Sequence, residues 1–293
     1  GVFASRPAPI QVNYLGYPGT LGTDFFDYVI ADATVLPFDQ QKFYSEKIVH
    51  LPDCYQSNDS QRAIAASSMA REQAGLPPQG FVFCCFNNPA KITAQIFDVW
   101  MRLLRRVPQS TLWLLSGGEV AAENVWREAA SRGVDPKRVV FAPWIEPDAH
   151  LARHRLADLF LDTLPFNAHT TASDALWAGL PAITCYGECF AGRVAASLLQ
   201  AVGLPELVSK NLQDYEALAL RLATEPPLLA AFRNRLAENR LSEPLFDTRR
   251  YRDHIETAYS EMWQIWQRGE SPRSFAVAPV TRDCGRRAAS EGA

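Results

Sequence analysis

Between residues 161 and 179 the chain reads LDTLPFNAHTTASDALWAG. An apolar strand end gives way to a short loop and then to a helix start, placing Asn167, His169, Thr170 and Thr171 where the helix opens. The first four backbone N–H groups of a helix have no partner inside it, and the dipole adds partial positive charge there. Two threonine hydroxyls and an imidazole add further donors. Such a set suits an anion, above all a phosphate or pyrophosphate. The plainer reading makes Asn167 or Thr170 the N-cap of an ordinary helix.

The loops after other apolar runs supply matching chemistry. Asn87, Asn88 and Lys91 follow one run, and Ser116, Gly117 and Gly118 another. Pro143, Trp144 and Ile145 follow a third, with His150 and Arg153 on the next helix. Asp174 lies one turn into the helix that starts near His169. One rim therefore collects Asn88, Lys91, His150, Arg153, His169, Thr170, Thr171 and Asp174. The lysine and threonines suit a pyrophosphate, and a carboxylate suits ribose hydroxyls. His150 and Arg153 suit a base. Each has a duller alternative: a solvated lysine, a carboxylate serving the helix dipole, a polar helix face, a Gly-Gly turn. Arg193 is open between the ligand cleft and a carboxylate partner. No P-loop, GxGxxG, HExxH or Ser-His-Asp set is visible.

The elements that must hold these residues follow from periodicity. Residues 81–86 form a continuous apolar run, as in a strand covered on both faces. Residues 92–106 carry Ile92, Ile96, Val99, Trp100, Leu103 and Leu104 at helical spacing. Strands at 111–115, 139–141, 159–161, 181–184 and 206–208 then alternate with helices at 121–132, 148–155, from 169, and 193–201. Helices at 211–223, 227–239 and 250–268 close the pattern. This alternation predicts a doubly wound parallel sheet, Rossmann-like, with ligands at the carboxyl ends of its strands. Short strands at 9–15, 28–32 and 48–51 and a helical turn at 43–47 precede it. Residues 56–80 are polar and read as a linker. Residues 269–293 read as a disordered tail. Trp100, Trp113 and Trp177 are expected in the core, His154 and His254 at the surface or partly buried.

The 293 residues are 47% hydrophobic and 21% charged, enough apolar content for one large or two medium cores. A net charge of −3 gives no general polyanion-binding surface, which disfavours nucleic acid as a partner. Six cysteines show no zinc spacing and fit a reducing cytoplasm, so no metal is expected. No run approaches the roughly 20 apolar residues that span a bilayer, so no membrane partner is expected. The first residues open as if inside a loop, so the chain is expected to be part of something longer.

Four stretches, PAPIQVNYLGYPGTLG, FCCFNNPAKI, NAHTTASDALWAG and GECFAGRVAAS, resemble the catalytic region of the O-GlcNAc transferase and SPINDLY family. The resemblance runs from about Pro7 to Arg268. It implies an α/β fold of GT-B type, with a Rossmann-like C-terminal lobe built on a doubly wound parallel sheet plus a partial N-terminal lobe. On that plan residues 1–55 belong to the partial N-terminal lobe, 56–80 to the linker and 81–245 to the nucleotide-sugar-binding lobe. Residues 246–268 form a helix returning to the first lobe.

The implied reaction is inverting transfer of a sugar, GlcNAc from UDP-GlcNAc, to Ser and Thr hydroxyls of proteins. It implies no metal and no cofactor beyond the donor substrate, and TPR repeats upstream. Lys91 matches the family's lysine at the departing diphosphate. Asn88 stands where O-GlcNAc transferases have glutamine. His169, Thr170 and Thr171 match the His-Thr-Thr at the phosphates, and Asp174 the ribose-binding aspartate. His150 and Arg153 match residues near the uracil, where Ile145 offers backbone contacts. Pro147 stands where O-GlcNAc transferases carry a ribose-contacting lysine. Two alternatives stay open: a sugar-nucleotide-binding fragment without transferase activity, and another donor such as the GDP-fucose of the plant SPINDLY branch.

Overall fold

The computed structural model describes residues 1–67 and 69–279. The first lobe begins with β1 (Val12–Asn13), β2 (Tyr28–Ala31) and β3 (Lys47–His50), paired in parallel in that order. The helical turn expected at 43–47 lies earlier, as a 3-10 helix at Phe38–Phe43. Pro37 opens it, and Gln41 Nε2 donates to the carbonyls of Tyr44 (3.2 Å) and Glu46 (2.8 Å), drawing the chain out into β3.

The second lobe alternates regularly. Its elements are β4 (Val82–Cys85), α1 (Ala94–Arg106), β5 (Thr111–Leu115), α2 (Glu119–Ser131), β6 (Val139–Ala142), α3 (Pro147–Arg153) and β7 (Leu159–Leu161). Then come α4 (Thr170–Trp177), β8 (Ala182–Cys185), α5 (Val194–Ala201), β9 (Val208–Ser209), α6 (Leu212–Thr224) and α7 (Pro226–Asn239). The six strands lie in the order β6-β5-β4-β7-β8-β9, all parallel, as the apolar runs required. Every residue of β4, β7 and β8 is buried. Thr93 caps α1, its hydroxyl accepting from Ile96 N, and the helix buries Ile96, Phe97, Val99, Trp100, Leu103 and Leu104 against the sheet. Trp100 and Trp113 are core residues and Trp177 is half-buried against the core.

The chain then returns to the first lobe. Asp247 caps α8 (Thr248–Gln267), accepting from Arg250 N at 3.0 Å. Ala258 and Met262 of α8 pack on Tyr28, Ile30, Val49 and Leu51. The expected disordered tail is corrected in its first part: β10 (Phe275–Ala276) pairs in parallel with β3, and Val277 is buried. Ser274, Phe275 and Val277 supply the side chains that hold it: a hydroxyl that accepts from Ile48 N and two apolar groups in that cluster. The rest of that tail, residues 280–293, lies outside the described residues. The expectation for His154 and His254 is also corrected, since both are buried. His154 packs edge-on against Phe86, and its Nδ1 meets the His150 carbonyl at 2.8 Å.

The lobes meet through buried polar contacts. Asp32, directly after β2, accepts from Thr34 N, Val35 N and Tyr55 N, each at 2.9 Å, and from Ser197 Oγ of α5 at 2.6 Å. Gln56 Nε2 donates to Ser173 Oγ of α4 at 2.8 Å. No helix among the described residues is long and apolar enough to cross a membrane.

Candidate functional site

From β4 the sheet grows outward through β5 to β6, then reverses, so that β7 lies on the other side of β4. At such a reversal the loops leaving the two central strands diverge and open a crevice at their carboxyl ends. Here those loops are residues 86–93 after β4 and 162–169 after β7.

A buried carboxylate organises both. Asp162 accepts from Thr184 Oγ1 (2.6 Å), Thr163 N (2.7 Å), Ala168 N (2.5 Å) and Asn87 Nδ2 (3.3 Å). Burial pushes its carboxyl up to about 6, against the pull of these donors. Asn87 also donates to Thr163 Oγ1 at 2.7 Å and accepts from the Thr171 hydroxyl. Asn167 Nδ2 donates to Thr163 O at 2.9 Å, and Asn167 N donates to Ala191 O at 2.9 Å. The loop is thereby fixed at both ends before any ligand arrives.

This architecture decides the plainer reading of the opening stretch. His169 occupies the N-cap position of α4, and no side chain caps the helix. Asn167 Nδ2 is engaged within its own loop, its buried Oδ1 meets no donor of the helix start, and Thr170 lies inside the helix and is exposed. The start of α4 thus keeps its partial positive charge for something else. Lys91 reaches it from the β4 side: Nζ donates to Asn167 O at 2.8 Å and lies 4.3 Å from the Phe166 ring centroid. Partial burial lowers the Lys91 pKa, while the Asp162 carboxylate opposes that shift. His169 stacks on Phe166 with centroids 4.9 Å apart. Burial, then the charge of Lys91, lowers it to about 4, so its imidazole is neutral at pH 7. Thr171 donates its hydroxyl proton to Asn87, which leaves the side chain as an acceptor only.

The remaining expected residues are distributed around this centre. Asn88 is exposed, and its Oδ1 accepts from Ala90 N at 3.0 Å to cap the short turn Pro89–Lys91. His150 lies with its ring 5.4 Å from that of Phe86, and burial lowers it to about 4. Arg153 sits inside the lobe wall, 1% exposed, with its guanidinium 4.6 Å from the Phe86 centroid. Its Nη1 donates to Pro143 O at 2.6 Å and so braces the loop that carries Ile145. Pro147 is the first residue of α3. Asp174 is buried, and burial raises its carboxyl, against the pull of Arg62.

A cleft of about 270 Å³ separates the lobes, lined by Asn13, Tyr17, Tyr55, Arg62, His169 and Thr170 among others. The structure therefore brings His169 and Thr170 to the cleft wall and Lys91 behind them. Arg193 takes neither of its expected roles: it donates to Gly187 O (2.9 Å) and Glu188 O (2.8 Å) and clamps its own loop. Among the described residues no group of three His, Cys, Asp or Glu side chains gathers where a metal could sit.

Three residues that organise the site carry no assignment from the sequence. Asp162 follows directly on β7, and Asn87 directly on the apolar run 81–86, a signal that could have marked them as loop anchors. Arg62 lies in the polar connection, where nothing in the pattern distinguishes it.

A sequence profile of glycosyl transferase family 41 matches residues 1–66 and 58–255. The chain belongs to this family. It is 41% identical over 94% of its length to the probable UDP-N-acetylglucosamine-peptide N-acetylglucosaminyltransferase SEC of Arabidopsis thaliana, and covers 29% of that protein. It is 34% identical over 93% of its length to the corresponding probable transferase SPINDLY of Petunia hybrida, again covering 29%. Among solved structures it superposes on a mutant of the Thermobaculum terrenum O-GlcNAc transferase with a TM-score of 0.79. That match has 31% identity and covers 89% of this chain and 50% of the other. Two parallel-sheet lobes with a cleft between them are the GT-B arrangement that the resemblance implied. The family 41 chain described here thus spans less than a third of the two curated relatives named.

Proposed function

We propose that this chain carries the donor-binding part of a nucleotide-sugar-dependent protein O-glycosyltransferase. The transferase moves GlcNAc from UDP-GlcNAc to Ser and Thr hydroxyls of proteins. The observation that carries the reading is the meeting of Lys91 with the uncapped start of α4, beside the cleft and one turn from Asp174. The names of the relatives agree with it.

In this reading the diphosphate lies along the start of α4, against the N–H groups of its first turn, Thr170 and Lys91. Asp174 accepts from ribose hydroxyls, and the base lies by His150 and the Ile145 backbone. An acceptor hydroxyl attacks the anomeric carbon from the face opposite the diphosphate, and the bond from that carbon to the phosphate oxygen breaks. Negative charge grows on the leaving phosphate, where Lys91 and the helix start are already in place. Preorganised donors act most strongly at such a point. The reaction requires no metal.

The test is transfer of radiolabelled sugar from UDP-GlcNAc, with GDP-fucose in parallel, to a protein acceptor in the presence of EDTA. This chain is compared with a form extended upstream to the length of the relatives. Transfer from UDP-GlcNAc by the extended form is expected, and absence of nucleotide binding by folded protein overturns the reading. Transfer from GDP-fucose alone would instead assign the SPINDLY-type donor. The second reading is a binding module without transfer. Binding without transfer by the chain alone and by its extended form would establish it.

A further inference from the structure

The connection between the lobes does more than join them. Residues 62–65 run across α3 and α4, the two helices that carry the expected base, ribose and phosphate residues. Trp177 Nε1 at the end of α4 donates to Arg62 O at 3.0 Å. Ala65 N donates to Asp148 O of α3 at 3.2 Å, and Arg155 Nη1 donates to Ala65 O at 3.1 Å. The strap is therefore tied to both helices through its backbone, which fixes where the Arg62 side chain can reach.

That side chain forms an ion pair with Asp174, Nη1 donating to Oδ1. Its other two guanidinium nitrogens make no hydrogen bond among the described residues. The side chain is 29% exposed and lines the cleft beside His169 and Thr170. Its charge also reaches His150, where it adds to the effects of burial and Arg153. Arg62 thus stands between the base end and the phosphate end of the expected donor. Asp174 has Oδ1 engaged and no hydrogen bond to Oδ2 among the described residues, so an acceptor oxygen is left for a hydroxyl. The guanidinium is a planar fork with five N–H donors, of which this ion pair uses one. A fork that lines the same cleft as the start of α4 suits phosphate oxygens.

We propose that Arg62 is a second donor-site cation supplied by the inter-lobe connection: it holds Asp174 for the ribose through one nitrogen and presents its remaining N–H donors to the phosphates of the nucleotide sugar. This rests on the nucleotide-sugar reading above and adds a residue to it. Lys91 then meets the diphosphate from the sheet side and Arg62 from the cleft side. A purely structural ion pair would leave phosphate recognition to Lys91 and α4 alone.

Calorimetry with UDP and with uridine on the native chain, Arg62→Ala, Arg62→Gln and Arg62→Lys separates the two roles. A charge-assisted hydrogen bond of this kind corresponds to ~10–100-fold in affinity. Arg62→Ala is therefore expected to weaken UDP ~10–100-fold and uridine only a few-fold, with a shallower salt dependence for UDP. Arg62→Lys is expected to restore part of the UDP affinity. Arg62→Gln, which can still donate to Asp174, keeps uridine affinity and loses UDP affinity, and it serves if the alanine variant unfolds. Equal losses for UDP and uridine, or no loss for UDP, overturn the proposal while leaving the nucleotide-sugar reading intact. Failure of the native chain to bind UDP or GDP overturns both.

Discussion

Lys91 Nζ and the carbonyl oxygen of Asn167 are 2.8 Å apart, so one hydrogen bond joins the loop after β4 to the loop after β7 across the reversal of strand order. The ammonium belongs to one side of the crevice and its acceptor to the other. On the proposed reading a donor phosphate meets a cation already in place, which keeps the reorganisation required of the protein small.

Replacing Lys91 with alanine separates chemistry from folding. The hydrogen bond to Asn167 and the contact with Phe166 together are worth about 1–2 kcal/mol of stability in this half-buried setting. Loss of a preorganised charge on a leaving group costs ~10²–10³ in rate. Transfer by the upstream-extended protein is expected to fall by that factor while urea denaturation shifts only slightly. A fall in rate that merely tracks the unfolded fraction would count against the leaving-group role.

His169 gives a pH signature for binding. Its pKa in the free protein is lowered to about 4, and the positive charge of Lys91 is one cause. Phosphates placed beside it offset that charge and raise the pKa. Binding of UDP-GlcNAc is then expected to take up protons, and affinity to increase as pH falls from 7 towards 5. Calorimetry in buffers of different ionisation enthalpy measures the uptake, and His169→Gln should abolish it. Release of protons instead would place the phosphates elsewhere.

Stability should depend on pH in the opposite sense. His150 and His169 are lowered to about 4 and His154 to about 3, each from an ordinary value of 6.5. Their contribution is complete above pH 6.5 and is lost as pH falls through 4, because the unfolded chain binds protons that the folded one refuses. Asp162 works the other way: raised to about 6, it favours the folded state at low pH and loses that contribution as pH rises from about 4 to 6. Asp32 and Asp174, also raised by burial, act with Asp162, and His50, lowered by burial, acts with the other imidazoles. The large downward shifts of His150, His154 and His169 are expected to dominate, so thermal midpoints should drop as pH is lowered from 6.5 to 4. His154→Gln should flatten that slope; an unchanged slope would show that His154 does not contribute.

Gly192 tests how the site is braced. A Cβ there would lie 2.7 Å from Pro165 O, and the Gly187 backbone is hydrogen-bonded to Gly192 O at 2.7 Å. The neighbouring Ala191 carbonyl receives Asn167 N and faces His169 Nε2 at 3.3 Å. Gly192→Ala must push these two backbones apart, at a cost of about 1–3 kcal/mol. The displacement falls on the loop that leads into α4, so UDP affinity should drop by more than the change in stability explains. Differential scanning fluorimetry with and without UDP reads both.

The alternating second lobe was legible because both its periods are expressed in long apolar runs. Strands such as Val82–Cys85 and a helix such as the one bearing Trp100 and Leu104 leave little choice of face. The first lobe was harder, since its strands are two to four residues long and one comes from beyond α8. Phe275 and Val277 alone in a polar stretch carry too little pattern to announce a strand that exists only because β3 offers it an edge. In the site, His169, Thr170 and Lys91 were readable as donors at strand-following loops. What each donor already spends within the protein was not. Thr171 is committed to Asn87, 84 positions earlier, and Arg153 to the Pro143 carbonyl in the loop before its helix, pairings that no helical or strand periodicity encodes. Arg62 was invisible for the same reason, since its partner lies 112 positions away.

The pairing of β10 with β3 has a consequence for biosynthesis. Ser274 Oγ accepts from Ile48 N, 226 positions earlier, so the sheet of residues 12–50 cannot be completed until its last strand leaves the ribosome. At ~5–20 residues per second that delay is on the order of ten to fifty seconds. The contiguous six-stranded sheet is fully translated meanwhile and can fold first, although it starts later in the chain. Throughout that interval β3 presents a bare edge, the kind of surface that recruits strands from other nascent chains. The second lobe can thus fold ahead of residues 12–50, whose open edge is the last to be covered.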